Sequence, residues 1–330
     1  MTDAGADDRV GVLLMAYGTP RGPDDVEAYY TDIRHGRPPT PDQLADLQQR
    51  YAALGGTSPL LARTEAQRDA LQHHLDRLEP GRFEVALGFK HAEPKIEQTV
   101  DELAARGHRR IVALVLAPHF SALSVGEYLE RARRAAAGNG IDVAEIESWA
   151  TEPAFVEFLA REVRRSIADL STGGGDGTPD DVPVDVPVDV KVVFTAHSLP
   201  RRVRQMGDRY PDELWSTASA VADAVGLDPW NGWVTAWQSA ARTAEPWLGP
   251  DVGEVIDDMA ASEDDAVRVR GVVVCACGFV SDHLEVLYDL DIVAAARAAE
   301  RGLAFARTRC VNDDEGVMSA LAALVAAAAP

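Results

Sequence analysis

With 330 residues, 46% of them hydrophobic, the chain has enough apolar material for two domains, each with its own core. Its formal net charge of −21 repels phosphates and anionic headgroups, which excludes nucleic acid as a partner and electrostatic attachment to lipid. No run of about 18 apolar residues occurs, so no transmembrane segment is expected. The acidic start MTDAGADDRV lacks the basic flank and apolar stretch of a secretory signal. Together with only three cysteines, it points to a cytoplasmic location. Lysine is confined to Lys90, Lys95 and Lys191, which a high-salt cytoplasm and GC-rich codon usage explain equally well.

Along the chain, short apolar runs alternate with helical patterns. Strands are predicted at Val10–Ala16, Glu84–Phe89, Ile111–Ala117, Val143–Ile146, Val190–Thr195, Trp233–Trp237, Val272–Cys275 and Leu303–Ala306. The longest helical patterns, Ser58–Leu78 and Ala154–Leu170, carry apolar residues at three- and four-residue spacing. Continuous apolar strands alternating with helices imply an α/β fold with parallel sheets covered on both faces. A Gly-, Pro- and Asp-rich stretch from Ser171 to Val190 reads as a solvated loop entering the next strand. Its glycines are no phosphate cradle, because no strand precedes them and no helix start follows. The expected division is a first domain over 9–149 and a second over 150–307 with a flexible insert at 171–189. The C-terminal segment 308–330, helical at Glu315–Ala328, is expected to return to the first domain.

In open parallel sheets, ligands bind outside the carboxyl ends of the strands. The residues following the predicted strands include Tyr17-Gly18-Thr19-Pro20, Lys90-His91, Pro118-His119, Ala196-His197-Ser198, Gln238-Ser239 and Gly278-Phe279. One strand-end histidine would be unremarkable. Three at equivalent places in two domains favour a shared cleft. Beyond Gly278, the segment Ser281–Asp291 reads as a helix start capped by Ser281 or Asp282. Glu285 and Asp289 then share a helix face, and Asp282 begins the row. Such a row is commonly a solvated acidic face. Here Leu284, Leu287 and Leu290 bury another side, and carboxylates leading into a cleft suit a hydrated divalent cation. Imidazole with carboxylate is a reasonable ligand pair for Fe(II). No zinc helix, Walker loop, dinucleotide fingerprint or nucleophile elbow occurs. Cys275 and Cys277 read as small buried hydrophobes, and with Cys310 they cannot fill a four-thiolate cluster.

Eight ordered segments carry a resemblance. VLLMAYGTP (Val12–Pro20), YYTDIRHGR (Tyr29–Arg37), RYAALGGTSPL (Arg50–Leu60), GFKHAEPKI (Gly88–Ile96) and LAPHFSALSVGEY (Leu116–Tyr128) are similar to the ferrochelatase family. So are FTAHSLP (Phe194–Pro200), WQSAARTAEPWLGPDV (Trp237–Val252) and GFVSDHLEVLYDLD (Gly278–Asp291). The resemblance implies two Rossmann-like, chelatase-type domains with an interdomain porphyrin cleft, and insertion of Fe2+ as substrate into the macrocycle. It gives His197 and Glu285 the catalytic and metal-binding roles, with Asp289 in an outer metal site. Tyr17 matches the tyrosine that reaches the metal from the other face in the coproporphyrin III branch. Protoporphyrin-using members typically read NLGTP there. Arg34, Arg50, Thr57, Ser58 and Tyr128 match positions that hold the macrocycle and its propionates, and the two arginines suit forked bonds to carboxylates.

Two departures bear on this. Relatives often carry a further acid four residues beyond the Asp289 position, where this chain has Val293. Asp291 could substitute only in a helix that is locally over- or underwound. Many actinobacterial relatives bind an iron–sulfur cluster through C-terminal cysteines; the ending LVAAAAP has none, so no cluster is expected. Other haem-pathway enzymes, upstream and downstream, are the implied partners. The alternatives are a protoporphyrin IX ferrochelatase, a non-catalytic porphyrin or haem carrier, and a cobalt or nickel chelatase for a more reduced tetrapyrrole. A carrier has no need of both His197 and Glu285.

Overall fold

The computed structural model describes residues 9–172, 189–241, 243–261 and 269–329. Most of the predicted insert lies outside the described residues. The chain divides into two compact units. The first runs through Trp149 and adds Ser281–Leu284 and the stretch from Asn312; the second comprises Ala150–Val280 and Glu285–Val311.

The first unit holds a four-stranded parallel sheet in the order β2-β1-β3-β4. Its strands are β1 (Val10–Ala16), β2 (Phe83–Phe89), β3 (Arg110–Val115) and β4 (Asp142–Ile146). Every residue of β1 is buried, as its unbroken apolar run requires of a central strand covered on both faces. One core layer joins Leu13, Met15, Ile111 and Ala113 to Val100 and Leu103 of the helix Ile96–Ala105 and Leu129 and Ala132 of the helix Val125–Asn139. The helix Glu315–Ala328 packs against the helix Leu60–Leu78 within this unit.

The second unit repeats the winding in the order β6-β5-β7-β8, again all parallel. Its strands are β5 (Val190–His197), β6 (Trp233–Gln238), β7 (Gly271–Cys275) and β8 (Ala304–Arg307). In both sheets the chain leaves the first strand to one side and later returns on the other. The switch points therefore fall at the carboxyl ends of β1 and β3 and of β5 and β7, where such folds bind ligands. Among the described residues, no helix is long and apolar enough to cross a membrane.

Several limits differ from the sequence-based expectation by one to three residues, and two of the differences bear on the site. β5 runs two residues further than Thr195, because its parallel register with β6 continues to His197 opposite Gln238. The helix expected from Ser281 begins at Leu284. Ser281 and Asp282 do not cap it: the Ser281 hydroxyl donates to Gln67 at 3.0 Å, and the Asp282 carboxylate accepts from the Asn312 side-chain amide at 2.8 Å. That helix, Leu284–Tyr288, passes into a π-helical turn, Asp289–Ala294, before α-helical winding resumes at Ala295.

Candidate active site

His197 closes β5, and three contacts fix the backbone there. The Ser198 N–H donates to the Gln238 carbonyl at 2.8 Å, the Ser198 hydroxyl to the Leu248 carbonyl at 2.8 Å, and the Tyr210 hydroxyl to the His197 carbonyl at 3.0 Å. The imidazole Nδ1 lies 2.6 Å from the Ser198 carbonyl. A carbonyl only accepts, so Nδ1 carries the proton and the neutral ring keeps its lone pair on Nε2. Nε2 faces Glu285 Oε1 at 3.6 Å, with 35% of the histidine side chain and 39% of the glutamate side chain exposed. Burial alone would lower the pKa of His197. The Glu285 charge and hydrogen bond, the Ser198 carbonyl and Asp289 overcome it and hold the imidazole above its ordinary value.

Glu285 is placed by the buried neighbours of its helix. Val286 and Leu290 sink into the core built on Val272 and Val274 of β7. Asp289 accepts a hydrogen bond from the Ser239 hydroxyl. Ser239 follows β6 with a left-handed backbone, φ 58°. The other acids of the predicted row are held elsewhere. Asp282 is bonded to Asn312, and Asp291 forms a two-pronged ion pair with Arg307 at 2.6 and 3.0 Å. Thus the helix is underwound where Asp291 would have needed it, yet Arg307 holds that carboxylate. Val293 is 48% exposed. Among the described residues, no three His, Cys, Asp or Glu side chains are grouped to hold a metal ion. Cys275, Cys277 and Cys310 are buried and form no disulfide with one another.

The remaining predicted site residues belong to the first unit. Tyr17 follows β1, is 42% exposed, and packs its ring on His91 at 4.7 Å between centroids. Tyr128 is buried beneath the Lys90 ammonium, 5.1 Å from the ring centroid, and burial pushes its phenol well above the ordinary pKa. Arg34 lies over the Tyr30 ring and donates to the Arg37 carbonyl at 3.3 Å; Arg50 pairs with Asp46 at 3.0 Å. Thr57 is exposed. Ser58 is buried, and its hydroxyl accepts from the Leu60 N–H at the start of the helix Leu60–Leu78.

The ferrochelatase family model matches residues 9–329. This chain belongs to the ferrochelatase family. It is 39% identical over 319 residues to a ferrochelatase from Herpetosiphon aurantiacus, covering 96% of this chain and 98% of that one. It is 40% identical over 318 residues to a coproporphyrin III ferrochelatase from Anoxybacillus flavithermus, covering 96% and 95%. SirB from Bacillus subtilis, solved with Fe3+, shares the fold at 13% identity with a TM-score of 0.52, covering 97% of this chain and 96% of SirB.

As a member of this family the protein is a metal chelatase, with ferrous iron and a porphyrin as substrates. Metallation of a porphyrin releases two pyrrole protons, so a ferrochelatase needs a base near neutral pH. A neutral imidazole with a fixed tautomer and a facing carboxylate fits that need. Sequence reading passed over Tyr210, Leu248 and Arg307. Their contacts with His197, Ser198 and Asp291 span 13, 50 and 16 residues, and only the folded chain brings them together.

Proposed function

We propose that this ferrochelatase inserts Fe(II) into coproporphyrin III, forming Fe-coproporphyrin III in haem biosynthesis. The observation that carries the reading is the His197 tautomer. With Nδ1–H given to Ser198, Nε2 is the nitrogen that can receive metal or proton, and Glu285, 3.6 Å away, stabilises the charged ring. His197 Nε2 and the Glu285 carboxylate would first hold the incoming Fe(II); once the iron has passed to the macrocycle, Nε2 would take one of the two pyrrole protons and Glu285 the other. Asp289, bonded to Ser239, supports them as an outer carboxylate. Arg34 and Arg50 would take propionates, Thr57, Ser58 and Tyr128 would hold the macrocycle, and Tyr17 would reach the metal.

The choice of coproporphyrin III rests on Tyr17 and on relatives that bear that name at 36–40% identity. On this reading the enzyme works in the cytoplasm between other haem-pathway enzymes and without an iron–sulfur cluster. The test is anaerobic turnover of Fe(II) with coproporphyrin III and with protoporphyrin IX. A clear preference for coproporphyrin III is expected. A strong preference for protoporphyrin IX would overturn the role given to Tyr17. Tight binding of coproporphyrin III without turnover would favour a carrier.

A further inference from the structure

We propose that Asp32 is a positioning residue for Tyr17, acting through the His91 ring. The assignment rests on the role given above to Tyr17. Tyr17 is 42% exposed, so the packing on its covered side sets its rotamer. Here the helix Val26–Ile33 supports it at two points. Tyr29 of that helix donates its hydroxyl to the Gly18 carbonyl at 3.0 Å, fixing the turn that follows Tyr17. Gly18 has φ +91°, and a Cβ there would lie 2.6 Å from the Ala92 Cβ, so the turn sits hard against the 90–92 loop. The His91 N–H donates to the Tyr17 carbonyl at 2.9 Å. The backbone of Tyr17 is thus set by its neighbours, which leaves the ring.

Three turns of chemistry fix the ring. His91 lies against it at 4.7 Å, tilted by 57°. The Asp32 carboxylate, one helical turn beyond Tyr29, accepts the Nδ1–H of His91 at 2.7 Å. Lys95 donates to the other Asp32 oxygen at 2.8 Å, so the carboxylate cannot swing away. Only 9% of the His91 side chain is exposed. The imidazole is therefore a fixed wall, oriented by Asp32 and anchored by Lys95, and Tyr17 rests on it.

The experiment is a double-mutant cycle on Fe(II) insertion into coproporphyrin III, comparing Asp32→Ala, Tyr17→Phe and the double variant with the parent. In Asp32→Ala, kcat is expected to fall about tenfold while KM for the porphyrin stays within about twofold. The double variant should be no slower than Tyr17→Phe alone. His91→Phe keeps a ring in place but loses the bond to Asp32; it should match Asp32→Ala and carries the test if that variant does not fold. Parent-like turnover in both Asp32→Ala and His91→Phe, or losses that multiply in the double variant, would overturn the proposal. Full turnover in Tyr17→Phe would overturn the reading of Tyr17 and this inference with it. A slow Tyr17→Phe beside parent-like Asp32→Ala and His91→Phe would overturn the inference alone.

Discussion

A histidine in a catalytic role is defined by which nitrogen carries the proton and by what its charged form meets. At His197 the Ser198 carbonyl settles the first and Glu285 the second. Because Glu285 and Asp289 hold the imidazole pKa above its ordinary value against burial, the neutral base predominates only above that raised pKa. Removing one carboxylate charge should therefore lower the pKa. In Glu285→Gln, NMR titration of the His197 ring in the absence of metal should show a midpoint below that of the parent. Asp289→Asn should move it the same way by less. An upward shift in Glu285→Gln would contradict the assignment. His197, Glu285 and Tyr17 stand out in the sequence as motif residues, and the roles proposed for them start from those motifs. The contacts that fix the tautomer and backbone were not, because Tyr210 and Leu248 are ordinary core residues in the sequence and gain their role only by packing.

The elements were legible where the hydrophobic pattern is unbroken. β1 is a continuous apolar run and appears at its predicted limits, Val10–Ala16. The start of the helix bearing Glu285 was not legible. Ser281 looks like a cap but is claimed by Gln67, a competition invisible to local sequence. Nor was the π turn at Asp289–Ala294, which contains no Pro or Gly to mark it. Close approach of elements was equally hidden. A Cβ on Gly278 would stand 2.4 Å from the Ala196 Cβ and 2.6 Å from its Cα, directly beside His197. Gly278→Ala must displace the end of β5. Such overpacking is expected to cost about 1–3 kcal/mol in urea denaturation and to reduce turnover with it. A variant with parent stability and parent rate would show that the strand end tolerates movement.

At the scale of the molecule, the fold encloses histidines that it keeps neutral. Burial depresses the pKa of His91 to about 4, with Asp32 opposing, and that of His119 to about 3. Below pH 6.5 the unfolded chain binds both protons and the folded chain does not, so stability falls with pH by about 1.4 kcal/mol per unit for each. His197 acts in the opposite sense. Its raised pKa adds stability that is fully present below pH 6.5 and is lost as pH rises through the raised value. The expected outcome is a net loss of stability between pH 6.5 and 4.5, measurable by urea denaturation; a flat profile would contradict it. The net charge of −21 adds self-repulsion, so added salt should raise the thermal midpoint near neutral pH.

His197 is the group proposed to handle both metal and proton. Its most direct test is anaerobic Fe(II) insertion into coproporphyrin III by the parent and His197→Ala, with porphyrin binding followed by fluorescence in the same samples. The expected result is retained porphyrin binding with turnover reduced by at least about a hundredfold. Turnover at the parent rate in His197→Ala would contradict it.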